Sequence, residues 1–320
     1  MILTIGNSSV YEVDAFHAVF TALKERGHKA LLFKQDECLV GETLIFEIRD
    51  GCPYYYVLID GKQYAIEEFS CIWYLHPQLP RQLLKYEPVE YRQFIQRQFY
   101  AMREALWSLF RHKKWLDNPW TVQMAENKIY QMQVAARCGF VLPDTVVTSD
   151  PERVREFYRR HDGNVITKLL ATSPILDKVI YTNLVTPAHI KQIDTVRMSP
   201  SIFQTLIPKA YELRITVVGD KLFPVKIFSQ EDDETALDWR KKPKLNDFKV
   251  RMEETVLPQE IVHRIYTFMK MIGLRFGCID MIVTPSGEYV FLEINPNGQW
   301  YFVQLKTGNK IAEAIADLLV

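Results

Sequence analysis

The sequence has no long apolar run, no surplus of either charge and no cysteine spacing that holds a metal or frames disulfides. No stretch approaches the roughly 20 apolar residues that a bilayer-spanning helix needs, so no membrane association is expected. Lysine plus arginine equals aspartate plus glutamate, at 39 each, so no global field favours nucleic acid. Cys38, Cys52, Cys71, Cys138 and Cys278 are odd in number and include no Cys-x-x-Cys pair. That argues against a zinc site or a disulfide frame and fits a reducing, cytoplasmic setting. The N-terminus lacks a basic segment followed by an apolar run, so no secretory signal is expected. Repeats and low-complexity segments are absent as well. No Ser–His or Cys–His pairing pattern stands out, so no covalent enzyme intermediate is expected, and His76 and His263 read as structural.

What is present is an ordinary globular balance, 48% apolar and 24% charged over 320 residues, a length that suits two or three subdomains. Ile2–Ile5, a helix over Val13–Arg26 and Ala30–Phe33 give a β-α-β start that lacks a GxGxxG fingerprint, so this unit reads as scaffold. A hairpin over Leu44–Ile48 and Tyr54–Ile59, a strand at Cys71–Leu75 and a long helix over Val89–Phe110 follow. Pro119 disfavours helix at Asn118 and marks a boundary. Beyond it come a helix from Ala125 to Cys138, a strand carrying Lys168, a strand over Ser201–Ile207, and a hairpin turning at Gly219-Asp220. A helix follows Pro258, and a last one spans Ala312–Leu319.

One stretch organises the rest. Cys278–Thr284 and Tyr289–Ile294 are apolar runs flanking Pro285-Ser286-Gly287, a hairpin signal. A turn centred between Ser286 and Gly287 sets Asp280 opposite Glu293, and residues opposite each other share a face. Asn295 shares it through the period of two, while Ile279, Met281, Leu292 and Ile294 point the other way. Two carboxylates and an amide oxygen form a set suited to a hard cation such as Mg²⁺. A solvated sheet face carrying two acids is the other reading. Arg214, on a strand with Glu212 and Thr216, suits a bidentate grip on a phosphate or an oxyanion, or equally a cross-strand salt bridge. Lys168 inside a β-branched strand is unusual, and with Lys128 it offers two point charges to a polyphosphate. The cluster Arg240-Lys241-Lys242 and Lys244 reads either as a receptor for acidic peptide or as a solvated charge run.

These residues, in this order, resemble the ATP-grasp ligases. Within them the chain is most similar to the maturases that macrocyclise microviridin-type ribosomal peptides (graspetides), which are related to RimK-type ligases. The similarity is densest in "NPWTVQMAENK", "GFVLPDTVVTSDP", "VITKLL", "FQTLIPKAYELRITVVGDK", "LDWR", "GCIDMIV" and "FLEINPNGQW". The resemblance implies an α/β (α+β) ATP-grasp fold, with an N-terminal domain over 1–117, a central lysine-bearing subdomain over 118–207 and a C-terminal subdomain over 208–320. It implies that Lys128 and Lys168 hold ATP phosphates and that Gln204, Leu206 (through its backbone) and Ile207 meet adenine. By the same likeness Glu212 lies near the ribose, Arg214 stabilises an acyl-phosphate, and Asp280, Glu293 and Asn295 hold Mg²⁺, expected as two ions.

Three departures stand out. Lys168 is followed by "LLATSPILDK", which has no glycine, where many ATP-grasp enzymes carry a Gly-rich phosphate loop. The hinge acid is replaced by Thr205. RimK-like ligases also carry a second arginine where this chain has Lys226, Ile227 and Phe228, so Arg240 of Asp238-Trp239-Arg240 is expected in that role. The expected chemistry is activation of a peptide Asp or Glu as an acyl-phosphate, then attack by a side-chain hydroxyl or amine of the same peptide. The expected partner is a precursor peptide with a leader and an acidic core. Its leader is expected near the Val256–Gly273 helix and the Glu212–Phe228 hairpin, with a homodimer suggested by the family. An intermolecular amino-acid ligase is the alternative within this chemistry, and a nucleotide-binding regulatory protein is the alternative outside it.

Overall fold

The computed structural model describes residues 1–37, 41–80, 83, 89–171, 181–232, 234–241 and 250–320. Cys38, Lys242, Lys244 and most of the segment after Lys168 lie outside the described residues. Cys52, Cys71, Cys138 and Cys278 are free thiols.

The expected β-α-β start forms from β1 (Ile2–Gly6), α1 (Val10–Glu25) and β2 (Ala30–Lys34). The strands β3 (Thr43–Arg49), β4 (Cys52–Ile59) and β5 (Lys62–Ala65) make a separate antiparallel sheet. After β6 (Cys71–Tyr74) and α2 (Val89–Leu109), β7 (Lys114–Leu116) completes an all-parallel sheet of order β2-β1-β6-β7. Every residue of β1 is buried, as a central strand of a parallel sheet requires.

Next come α3 (Pro119–Ala125) and α4 (Lys128–Arg137). The helix expected from the Ala125-Glu126-Asn127-Lys128 segment to Cys138 is α4, starting at Lys128, and α3 before it was not expected. The Asn127 side chain accepts from the N–H groups of Ile129 and Tyr130, so it caps a new helix instead of continuing the old one. Lys128 therefore opens α4. The strands β8 (Thr145–Thr148), β9 (Val165–Lys168), β10 (Asn183–Leu184) and β11 (Ser201–Thr205) form a second antiparallel sheet of order β10-β9-β11-β8. Packed beside it are α5 (Pro151–Arg160) and α6 (Pro187–Lys191). The strand expected to run to Ile207 stops at Thr205. Leu206 donates its N–H to the Asn164 carbonyl at 2.8 Å, and Pro208 has no N–H to pair.

The C-terminal sheet holds β12 (Tyr211–Val218), β13 (Lys221–Ile227), β14 (Met252–Glu254), β15 (Phe276–Val283) and β16 (Tyr289–Asn295), in the order β14-β13-β12-β15-β16. Beneath it runs α7 (Gln259–Ile272), whose Phe268 packs against Phe140 and Phe291 in one aromatic cluster. Two short helices, α8 (Tyr301–Thr307) and α9 (Ile311–Leu319), close the chain, α9 packing on α1.

The key hairpin pairs Asp280 with Glu293, as expected, through an unforeseen device. Next to the turn, Val283 pairs with Tyr289 and Met281 with Phe291. Continued unbroken, that register would set Asp280 opposite Leu292. A β-bulge between Asp280 and Met281 shifts it by one. Leu292 was expected on the far face with Ile279, Met281 and Ile294. It is the extra residue of the bulge and lines the cleft beside Glu293, because the bulge interrupts the alternation of faces.

Candidate active site

A cleft of about 180 Å³ opens between the β9–β11 face and the β12–β15–β16 face. It gathers Lys128, Lys168, Gln204, Leu206, Ile207, Glu212, Arg240, Asp280 and Glu293, residues that the sequence reading singled out from widely separated segments. Arg214 and Asn295 join them through Asp280.

Glu293 is the charge focus. Lys128 Nζ lies 3.1 Å from Glu293 Oε2 and Arg240 Nη1 lies 3.9 Å from Oε1. Burial alone would raise the Glu293 pKa, but Lys168, Lys128 and Arg240 outweigh it and hold the carboxyl at about 2. Burial pushes the Lys168 ammonium down, with Glu293 pulling the other way. Three cations around one acid leave the cleft ready for more negative charge, as a polyphosphate supplies.

On the next strand, Arg214 Nη1 bonds both Asp280 oxygens at 2.9 and 2.8 Å, and Nη2 donates to the Gln299 carbonyl at 2.9 Å. The cross-strand salt bridge weighed for Arg214 is therefore present. Burial disfavours the guanidinium charge, but Asp280 outweighs it and keeps Arg214 protonated. Asn295 Nδ2 donates to Asp280 Oδ2 at 2.9 Å, so Asp280, Glu293 and Asn295 lie together at one end of the hairpin. Among the described residues no cluster of three His, Cys, Asp or Glu side chains converges. A cation here thus depends on the Asn295 amide as its third donor. Two carboxylates and an amide oxygen are a hard-oxygen donor set that fits Mg²⁺, which typically takes one or two carboxylates and leaves its other positions to phosphates and water.

The hinge is more specific than its sequence. Thr145 Oγ1 donates to the Pro143 carbonyl, so it can only accept from Gln204, and this fixes Nε2 as the Gln204 atom facing it at 2.9 Å. Gln204 Oε1 is left buried with no partner among the described residues, an acceptor suited to an exocyclic amino group. With the Leu206 N–H engaged by Asn164, only the Leu206 carbonyl is left to meet a base. Ile166, Ile207, Ile282 and Leu292 supply apolar walls.

Several functional residues escaped the sequence reading. Lys209, its side chain 7% exposed, donates to Glu212 Oε1 at 2.8 Å, and Ser229 Oγ donates to the same oxygen at 2.7 Å. The spacing Lys209-x-x-Glu212 was the available signal. Asp238 receives Arg240 through Nε and Nη2, both at 2.8 Å, and the Thr182 N–H at 3.2 Å. Burial would raise the Asp238 pKa, but Arg240 and the N–H donors win and lower it from 3.8 to about 2. The sign follows: this carboxylate stabilises the fold above its ordinary pKa, and the contribution is lost as pH falls from 3.8 to about 2. Wild type should show a falling melting temperature over that window, with a smaller fall in Asp238→Asn.

Gln131 is another such residue. It is 3% exposed, and its amide donates to the Ile294 carbonyl at 2.8 Å and accepts the Ile294 N–H at 3.0 Å. It thereby acts as a short strand on the open edge of β16 and ties the helix of Lys128 to the strand of Glu293. Gln131→Leu should destabilise the protein by about 1–3 kcal/mol for each Ile294 group left unpaired, read by urea denaturation. Gly298 is equally constrained. A Cβ there would stand 2.6 Å from Cys278 Cβ and 2.9 Å from Arg214 Nη2. Gly298→Ala should fold but lose at least about tenfold in turnover, because the guanidinium must move and even small displacements of a positioning group are costly.

No family model and no curated protein matches the chain. Solved structures do. A ribosomal-peptide-associated ATP-grasp ligase from Chryseobacterium gregarium, in complex with ADP and a leader and core peptide, is 28% identical over 99% of this chain and 96% of that one, with a TM-score of 0.85. The macrocyclase MdnC of Microcystis aeruginosa MRC, bound with precursor peptide MdnA, is 29% identical over 100% of this chain and 99% of that one, with a TM-score of 0.85. MdnB, a macrocyclase from the same source, is 26% identical over 100% and 98%, with a TM-score of 0.81. Likeness at this level over the full length gives the chain the fold of the ATP-grasp ligases and makes it similar to ribosomal-peptide ligases and macrocyclases of that fold.

Proposed function

We propose that this protein is an ADP-forming ATP-grasp macrocyclase that closes side-chain ester or amide rings in a ribosomally made precursor peptide. The observation that carries this is the full-length likeness to MdnC and to the Chryseobacterium gregarium ligase. The subdomain limits follow the sequence reading, at 117/118 and 207/208.

ATP occupies the cleft. Lys128 and Lys168 receive the phosphates, and Gln204 Oε1 with the Leu206 carbonyl meets the adenine edge against Ile207. Glu212, steadied by Lys209 and Ser229, takes the ribose side. Asp280, Glu293 and Asn295 would hold Mg²⁺, as two ions. When bound, Mg²⁺ neutralises phosphate charge and orients the phosphoryl group for transfer. A peptide Asp or Glu carboxylate attacks the γ-phosphorus, giving an acyl-phosphate and ADP. A hydroxyl or amine of the same peptide then attacks the acyl carbon, and phosphate leaves. Arg214 stabilises the oxyanion formed in that step, because its guanidinium is already held in place and charged. Arg240, anchored by Asp238, steadies the transferring phosphate from the other side of Glu293. A homodimer belongs to this reading, and light scattering tests it.

The decisive experiment is a mass spectrum of a graspetide-type precursor peptide after incubation with the protein, ATP and Mg²⁺. Loss of one or more water masses is the expected result. An unchanged mass, with ATP consumed only when free amino acids are supplied, would replace this reading with an intermolecular ligase. A gain of phosphate mass would make the protein a kinase.

A further inference from the structure

The N-terminal domain, read from sequence as scaffold, carries a built constellation outside the residues that line the cleft. Its parallel sheet runs β2-β1-β6-β7, so the chain leaves β1 toward β2 on one side and reaches β6 on the other. In open parallel sheets, ligands bind beyond the carboxyl ends of the strands at such a switch point. Three polar residues meet there: Asn7 after β1, Glu12 in the first turns of α1, and His76 just after β6. Asn7 is fully buried and spends its side-chain amide on the His76 carbonyl, at 2.7 Å. That bond holds His76 at φ +47°, a left-handed conformation that a residue with a side chain rarely adopts. Such backbone, held by a dedicated buried partner, clusters at functional sites. The ring it presents is 47% exposed, while Glu12, with a side chain only 7% exposed, faces His76 Nδ1 at 3.6 Å. Burial pushes the Glu12 carboxyl up to about 7, against a hydrogen bond from the Gln299 side chain.

Gln299 connects this constellation to the chemistry. Its side chain bonds Glu12, and its carbonyl accepts from Arg214 Nη2 at 2.9 Å. Tyr11, beside Glu12, accepts the Phe302 N–H at 3.2 Å and pins α1 to the same C-terminal segment. The guanidinium of Arg214 thus faces Asp280 with one nitrogen and the segment leading to Glu12 and His76 with the other. A buried carboxylate behind a half-exposed imidazole is the arrangement that orients a histidine with one nitrogen toward the acid and the other free to take a proton.

We propose that His76 is the general base of the ring-closing step, with Glu12 as the residue that positions it. This rests on the macrocyclase reading above. The nucleophile's oxygen or nitrogen forms its bond to the acyl carbon, and its proton passes to His76 Nε2. The bond from the acyl carbon to the phosphate oxygen breaks, and phosphate leaves with that electron pair. The first half-reaction needs no such base, because the attacking carboxylate is already ionised.

The test separates the two halves. Hydroxylamine, a strong nucleophile at neutral pH, traps the peptide acyl-phosphate as a hydroxamate without help from a base. His76→Asn is the main variant, because asparagine tolerates the left-handed backbone. His76→Gly is the second, since glycine adopts it freely. The expected result is hydroxamate formation within about threefold of wild type, with ring closure down by about 10²–10⁴, in His76→Asn and His76→Gly. Glu12→Gln should show the same split with a smaller loss. Ring closure at the wild-type rate in either His76 variant would overturn the proposal, as would equal loss of hydroxamate and rings in both folded variants. A wild-type enzyme that forms no hydroxamate from the precursor would instead sink the macrocyclase reading itself.

Discussion

Glu293→Gln should abolish ring formation, by about 10²–10³ or more in turnover, while leaving the protein folded and able to bind nucleotide. The size of the effect follows from the position of the side chain. Lys128 lies 3.1 Å from it and Arg240 3.9 Å, and Lys168 is coupled to it electrostatically. Removing the charge leaves these cations facing a neutral amide and takes from the hairpin one of the two carboxylates suited to Mg²⁺. ATP phosphates can still compensate the cations, so the dissociation constant for ATP, measured by calorimetry, should change by less than about tenfold. Turnover, measured by mass spectrometry, should recover in part at raised Mg²⁺. Wild-type turnover at ordinary Mg²⁺ would mean that Glu293 merely neutralises the lysines.

Arg214 should be nearly as sensitive, in two ways that separate. Arg214→Met removes one partner of a buried ion pair, since the Arg214 and Asp280 side chains are 7% and 14% exposed. The orphaned Asp280 should lower stability by about 3–5 kcal/mol, read by chemical denaturation. Arg214→Lys keeps the charge but not the fork that reaches both Asp280 oxygens and the Gln299 carbonyl at once. It should recover much of the stability yet remain about 10²–10³ below wild type in ring closure, because an ammonium cannot hold Asp280 and a developing oxyanion in one plane. If Arg214→Lys turned over like wild type, the oxyanion role would be wrong and the pair would be structural.

The strand and helix patterns were legible because they depend on local periodicity. The all-buried β1, the stripe of α7 and the two runs around Pro285-Ser286-Gly287 all formed. The pairing of Asp280 with Glu293 was reached from a turn centre, and it holds because the bulge at Leu292 corrects a register that would otherwise have slipped by one. A bulge depends on packing across the sheet and leaves no clear local mark, so Leu292 was assigned to the wrong face. The break between α3 and α4 had a visible cause in Asn127, but a capping asparagine competes with a helical one, and only the fold decides between them.

By itself, then, the sequence determined the element types, the acidic hairpin, the presence of two lysines and an arginine, and through ordered motifs the likeness to ATP-grasp ligases. Tertiary structure alone decided which charges meet. Lys128, Lys168, Arg240 and Glu293 come from four separate segments, and their convergence depends on how the two sheets close on each other. The same holds for Gln131 clamping β16, the Leu206 N–H engaged by Asn164, and Glu12 meeting His76 beyond the parallel sheet. The physical reason is range. Periodicity, caps and turns act over a few residues of chain, whereas ion pairs and buried hydrogen bonds act over a few ångströms of space, and only a folded chain turns the one into the other.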